Sequence, residues 1–62
     1  MQHKKIIEAF GGVRYLQRAL GHKWHSTIQS WYYKNKIPLW HHRKVLAAAK
    51  KKRLGLKLED FG

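Results

Sequence analysis

The sequence predicts an all-α protein, a compact bundle of four to five short helices. Three observations carry that expectation. Apolar residues recur at three- and four-residue spacing in four successive segments. Gly11-Gly12, Gly21, Pro38 and Gly55 punctuate those segments. No stretch alternates apolar and polar residues for long enough to make a strand.

The first segment, residues 3–10, places Ile6, Ile7 and Phe10 on one helical stripe. The second, residues 13–20, does the same with Val13, Leu16, Ala19 and Leu20, and carries Arg14, Gln17 and Arg18 on its other face. In the third, residues 25–33, Ile28, Trp31 and Tyr32 form the apolar side, and Trp24 lies four residues before Ile28. His25, Ser26, Gln29, Ser30 and Tyr33 face the opposite way. Ser26 or His25 marks the expected helix start, serine being the better cap. In the fourth, "PLWHHRKVLAAAKKKRLG", Pro38 suits a first helical turn and the alanines and leucines suit an interior. Residues 50–53 are cationic and fall in the expected last turn, where they oppose the negative end of the helix dipole. Gly55 is the expected stop. His42, Val45, Leu46 and Ala49 form the expected inward stripe, with His42 a hydrogen-bonded core histidine. The tail "LKLEDFG" is expected to add a short turn or helix.

With 62 residues the chain reads as one domain, residues 1–62. A domain of that size buries only about 60% of its unfolded surface, so a few large side chains must fill the core. Three Trp, three Tyr and two Phe are available for that. The charge is the loudest feature: 14 Lys and Arg against 3 Asp and Glu, a net +11. Folding does not need that excess, and self-repulsion opposes it. It suits a polyanion, nucleic acid first and an anionic membrane surface second.

Several function classes are disfavoured. The chain has no cysteine, which excludes disulfides and thiolate zinc sites. Neither His22 and His25 nor His41 and His42 have the i, i+4 spacing of a zinc-binding helix, so no metal and no cofactor are expected. The acids are Glu8, Glu59 and Asp60, and no segment combines a nucleophile, a base and an acid. No glycine-rich phosphate loop is present. The expectation is a protein without catalytic residues or a small-molecule substrate. The longest apolar run, residues 45–49, is far short of a membrane span, and Glu8 interrupts the apolar stretch near the N-terminus. A cytoplasmic location and no membrane partner are expected.

Segments two and three form the pair that points to function. They are two short helices joined by a turn that begins at Gly21. The second has one apolar face and one face of small hydrogen-bonding side chains. That layout is what a helix-turn-helix requires. On the outward face Gln29 can pair with adenine through N6 and N7. Ser26 and Ser30 can donate or accept. His25 suits a guanine acceptor or a phosphate, the Thr27 methyl suits a thymine methyl, and Tyr33 reaches toward a phosphate. Lys23, Lys34 and Lys36 bracket this face, where phosphate contacts orient a protein without specifying sequence.

"AFGGVRYLQRALG", then "STIQSWYYKNKIP", then "VLAAAKKKRLGLKLEDF" resembles the small helix-turn-helix regulators of the phage Cro/CI type, especially the Cro-like and YdaS-like antitoxin and repressor group. The resemblance runs from about residue 6 to residue 61. It implies a lambda-repressor-like fold and a double-stranded DNA operator as partner. It implies base reading by His25, Ser26, Gln29, Ser30 and Tyr33, and backbone contacts from Arg14, Gln17, Arg18, Lys23, Lys34, Asn35 and Lys36. A homodimer on DNA is expected by resemblance, with Leu56, Leu58 and Phe61 either supplying its surface or capping the chain's own core. The chain departs from the pattern twice. Gln17 stands where a small residue is usual, and the turn "LGHKWHST" is one residue longer, with Trp24 inside it. A longer turn would make room for Gln17, with Trp24 filling the gap. The rival readings are a nonspecific nucleic-acid-binding module and a membrane-active basic peptide.

Overall fold

The computed structural model describes residues 1–21 and 25–62, the side chain of His25 excepted. Four short helices follow in order: α1 (His3–Ala9), α2 (Val13–Ala19), α3 (His25–Lys34) and α4 (His42–Lys51). Two 3₁₀ turns, Leu39–His41 and Leu58–Phe61, precede and follow α4. Among the described residues there is no strand. α3 packs against both α1 and α2, while α4 packs against the two 3₁₀ turns. The proposed compensation between Gln17 and Trp24 turns on residues 22–24 and lies outside the described residues; Gln17 itself is half-buried.

The buried faces follow the expected stripes. Ile6, Ile7 and Phe10 of the first segment meet Leu16 of α2, Ile28 and Trp31 of α3, and Val45, Ala48 and Ala49 of α4. Val13, Ala19, Leu20 and Tyr32 pack around them, half-buried. Leu46 is also only half-buried, and Ala48 takes the place in the inward stripe expected for it. Phe61 is buried and Leu56 leans on the core, so both close this chain's own interior, whereas Leu58 stays half exposed.

Three helices end in the same way. After α1, Gly11 takes a left-handed φ of 105°, its N–H donates to the Glu8 carbonyl, and the Gly12 N–H donates to the Ile7 carbonyl. After α3, Asn35 has φ 54°, with Asn35 N–H on Tyr32 and Lys36 N–H on Trp31. After α4, Arg53 has φ 56°, with Arg53 N–H on Lys50 and Leu54 N–H on Ala49. Each pair satisfies two carbonyls that a helix end leaves without partners. Gly11 is also tight: a Cβ there would come within 3.0 Å of the Tyr15 ring.

The fourth segment differs from expectation at both ends. Pro38 is not in the first turn of α4; it is extended (φ −56°, ψ 146°) and leads into the 3₁₀ turn. The reason is His42, whose Nε2–H donates to the Ile37 carbonyl at 2.7 Å. The chain must double back within five residues, which a tight turn allows. At the other end the left-handed residue that closes α4 is Arg53, two positions before Gly55, which is left-handed as well (φ 75°), so Lys52 and Arg53 lie beyond α4.

The link between α3 and α4 turns inward at Ile37, and histidines hold it there. The Ile37 N–H donates to His3 Nδ1 at 2.6 Å, and His3 Nε2–H donates to the Phe61 carbonyl at 2.7 Å. The His3 and His42 rings meet edge to face at 5.2 Å, and His42 lies 5.0 Å from the Phe61 ring. Nothing in the local sequence pattern singles out His3 for this role.

Two stability predictions follow from these contacts. His3→Ala leaves the buried Ile37 N–H without its acceptor and costs about 1–3 kcal/mol in urea unfolding; a loss below about 0.5 kcal/mol would mean the bridge contributes little. Arg53→Gly removes a left-handed non-glycine residue at the cost of a looser unfolded chain, for a net gain of roughly 0.5–1 kcal/mol. The same denaturation series reads that gain, and a destabilised Arg53→Gly protein would contradict the assignment of strain to this residue.

Candidate nucleic-acid interface

α3 is held from behind. Ile28 is fully buried and Trp31 nearly so. The Tyr32 hydroxyl donates to Glu8 Oε2 at 2.8 Å, and the Lys4 ammonium sits 4.9 Å above the Tyr32 ring. At the C-terminal end of the helix, Asn35 Oδ1 accepts the Lys4 backbone N–H at 2.8 Å. That N–H belongs to the first turn of α1, where no residue preceding the helix caps with its side chain. Asn35 therefore ends one helix and caps another, a structural task beside the phosphate contact expected of it.

With that face fixed, the outward face of α3 carries the expected reading residues. Ser26, Gln29 and Tyr33 are exposed and Ser30 is half-buried. Their spacing, i, i+3 or i+4, and i+7, aligns them over two turns. His25 begins α3, but its side chain lies outside the described residues, as does all of Lys23. Lys34 and Lys36 are exposed at the end of the helix. On α2, Arg14 and Arg18 are exposed one turn apart, and the Arg18 guanidinium lies 5.9 Å from the Tyr15 ring centre.

One feature beside α3 was not foreseen. An open groove of about 740 Å³ runs between the helix and the 3₁₀ turn that follows it. Ser26, Ser30 and Lys34 line the helix side, and Leu39 and Trp40 line the other. Trp31 and Pro38 also contribute, and among the described residues no carboxylate lines it. Trp40 is 80% exposed and Leu39 78%. Periodicity along one helix cannot reveal a groove whose second wall arises from a corner in the chain.

Among the described residues no three of His, Asp and Glu gather into a metal site. None of the described helices is long and apolar enough to cross a membrane. Searches against family models, curated proteins and solved structures return no match to this chain.

Two titratable groups near α3 make stability depend on pH. The Tyr32 hydroxyl holds the Glu8 carboxyl below its ordinary 4.5, helped by Lys5 and Lys4 and opposed by desolvation. Burial, then the Lys44 charge, holds His41 below its ordinary 6.5. Both groups bind protons less well folded than unfolded, so stability rises with pH through each transition. On acidification the His41 contribution is lost below pH 6.5, and the Glu8 contribution below 4.5. Tyr32→Phe should flatten only the lower limb of a plot of unfolding free energy against pH. An unaltered lower limb would show that the Tyr32–Glu8 bond does not set the carboxyl's affinity for protons.

Proposed function

We propose that this chain is a sequence-specific DNA-binding transcriptional regulator, a Cro-type repressor that occupies operator DNA. α2 and α3 act as the helix-turn-helix, and α3 enters the major groove with Ser26, Gln29, Ser30 and Tyr33 toward the bases. The observation that carries the reading is the division of α3. One side is anchored by Ile28, Trp31 and Tyr32, and the other presents short hydrogen-bonding side chains. A rigid helix with that outward chemistry can discriminate base edges, because its donors and acceptors are held in register.

The charge supports the same partner. A net +11 on 62 residues favours a polyanion through counterion release. Arg14 and Arg18 on α2, with Lys34 at the end of α3 and Lys36 just beyond it, suit phosphates on either side of the reading face. Acting as a repressor on paired half-sites, two copies would meet on the operator.

Selection of sites from random duplex DNA tests this reading. A defined, repeated half-site is expected, and its spacing reports the dimer. Gln29→Ala should relax preference at one or two base positions, by about 1–3 kcal/mol against the selected site. Lys34→Ala or Lys36→Ala should weaken all duplexes alike and shallow the salt slope by about one unit each. Equal affinity for every duplex would replace this reading with a nonspecific nucleic-acid-binding module.

A further inference from the structure

We infer that the groove between α3 and the Leu39–His41 turn seats one sugar-phosphate strand of duplex DNA, with Trp40 and Leu39 packed against deoxyribose faces and Lys34 and Lys36 on the flanking phosphates. The inference rests on the proposed approach of α3 to DNA and adds a second contact element to it.

The starting observation is an indole that folding does not use. The core is filled by Ile6, Ile7, Leu16, Ile28, Val45 and their neighbours, while Trp40 remains 80% exposed. Leu39 beside it is 78% exposed. Two adjacent large apolar side chains left in water mark a contact surface. The wall they form is fixed in place. The His41 N–H donates to the Pro38 carbonyl at 3.0 Å, and the next residue, His42, is hydrogen-bonded to Ile37. Binding there would not have to order a loose loop.

Charge selects the occupant. Lys34 and Lys36 line the groove, and among the described residues no carboxylate does. A second copy of this chain would bring another +11 to it. A nucleic-acid strand supplies negative phosphates at regular intervals, with weakly polar sugars between them, which matches cations beside an apolar wall. A duplex is favoured over a single strand for two reasons. Single strands are held by successive aromatic platforms, whereas among the described residues this groove has one exposed indole beside the nearly buried Trp31. Its other wall is the Ser26 and Ser30 side of the helix proposed to read base pairs. A strand lying in the groove would run alongside the bases that α3 meets.

The two kinds of contact separate experimentally. A phosphate contact changes the dependence of affinity on salt, and an apolar sugar contact changes affinity at every salt concentration. The full chain and its Trp40→Ala, Trp40→Phe, Lys36→Ala and Gln29→Ala variants are titrated at several salt concentrations against three probes. These are the selected duplex, a scrambled duplex and one strand of the selected site. Trp40→Ala should weaken both duplexes by roughly tenfold with the salt slope unchanged. Trp40→Phe should recover most of the loss. Lys36→Ala should shallow the slope, and Gln29→Ala should reduce only the difference between the duplexes. Thermal melts of Trp40→Ala should match the parent, since the side chain is exposed.

Trp40→Ala within twofold of the parent on both duplexes, while Gln29→Ala still loses discrimination, overturns the groove contact and leaves the proposed function standing. Loss confined to the single strand makes the groove a base-stacking platform and also overturns it. Sedimentation showing that Trp40→Ala dissociates a DNA-free dimer would assign the indole to self-association instead. If the parent binds no duplex, both readings fall together.

Discussion

The peptide at Ile37 is the constraint on which the rest of the structure depends. Its side chain is buried, yet the residue belongs to no helix, so its N–H and C=O have no partners from regular structure. Leaving them bare would cost more than most single contacts in so small a protein contribute. Two imidazoles take them, His3 accepting the N–H and His42 donating to the carbonyl. The first bond fixes the His3 tautomer: Nδ1 must carry a lone pair, so Nε2 carries the proton it gives to Phe61. One ring thus joins the start of α1, the middle of the chain and its last turn.

That joint also positions the candidate interface. The corner at residues 37–38 aims the 3₁₀ turn beside α3 and so creates the second wall of the groove. Asn35, two residues earlier, ends α3 in a left-handed conformation and caps α1. Glu8 and Lys4 of α1 hold Tyr32 from the other side. With few residues available for a core, polar contacts between distant segments set where α3 lies and which way its outward face points.

This division explains what could be read from the sequence. Ile28 and Trp31 announce the buried side of α3, and the opposite side then follows by geometry. His42 could be placed inward because it falls on the stripe of Val45 and Ala49. His3 could not, because its partners stand 34 and 58 residues away. The limits of α4 were misplaced for a related reason. Pro38 and Gly55 fit local rules for a helix start and stop, but the His42–Ile37 bond forces a 3₁₀ corner first, and Arg53 takes the left-handed position before Gly55 is reached. The groove was illegible because it belongs to neither wall alone.

The few acids sharpen the electrostatic case independently of any helix-turn-helix argument. Glu8 accepts the Tyr32 hydroxyl and pairs with Lys5 at 3.5 Å, and Asp60 accepts the Lys57 N–H at 2.8 Å. Two of the three carboxylates therefore serve joints within the fold. Residues 50–53, at and just beyond the end of α4, with Arg14, Arg18, Lys34 and Lys36, are all exposed. Their field reaches about 8–10 Å at ordinary salt, a large fraction of a molecule 25 Å in its longest dimension. A polyanion anywhere on this surface relieves repulsion among cations it does not touch. On the proposed function, attraction for a polyanion would belong to the whole molecule, whereas selectivity would rest on the small set of uncharged side chains on α3. Glu8 and Asp60 meanwhile hold α1 and the tail in place, and α3 itself carries no acid to oppose such an attraction.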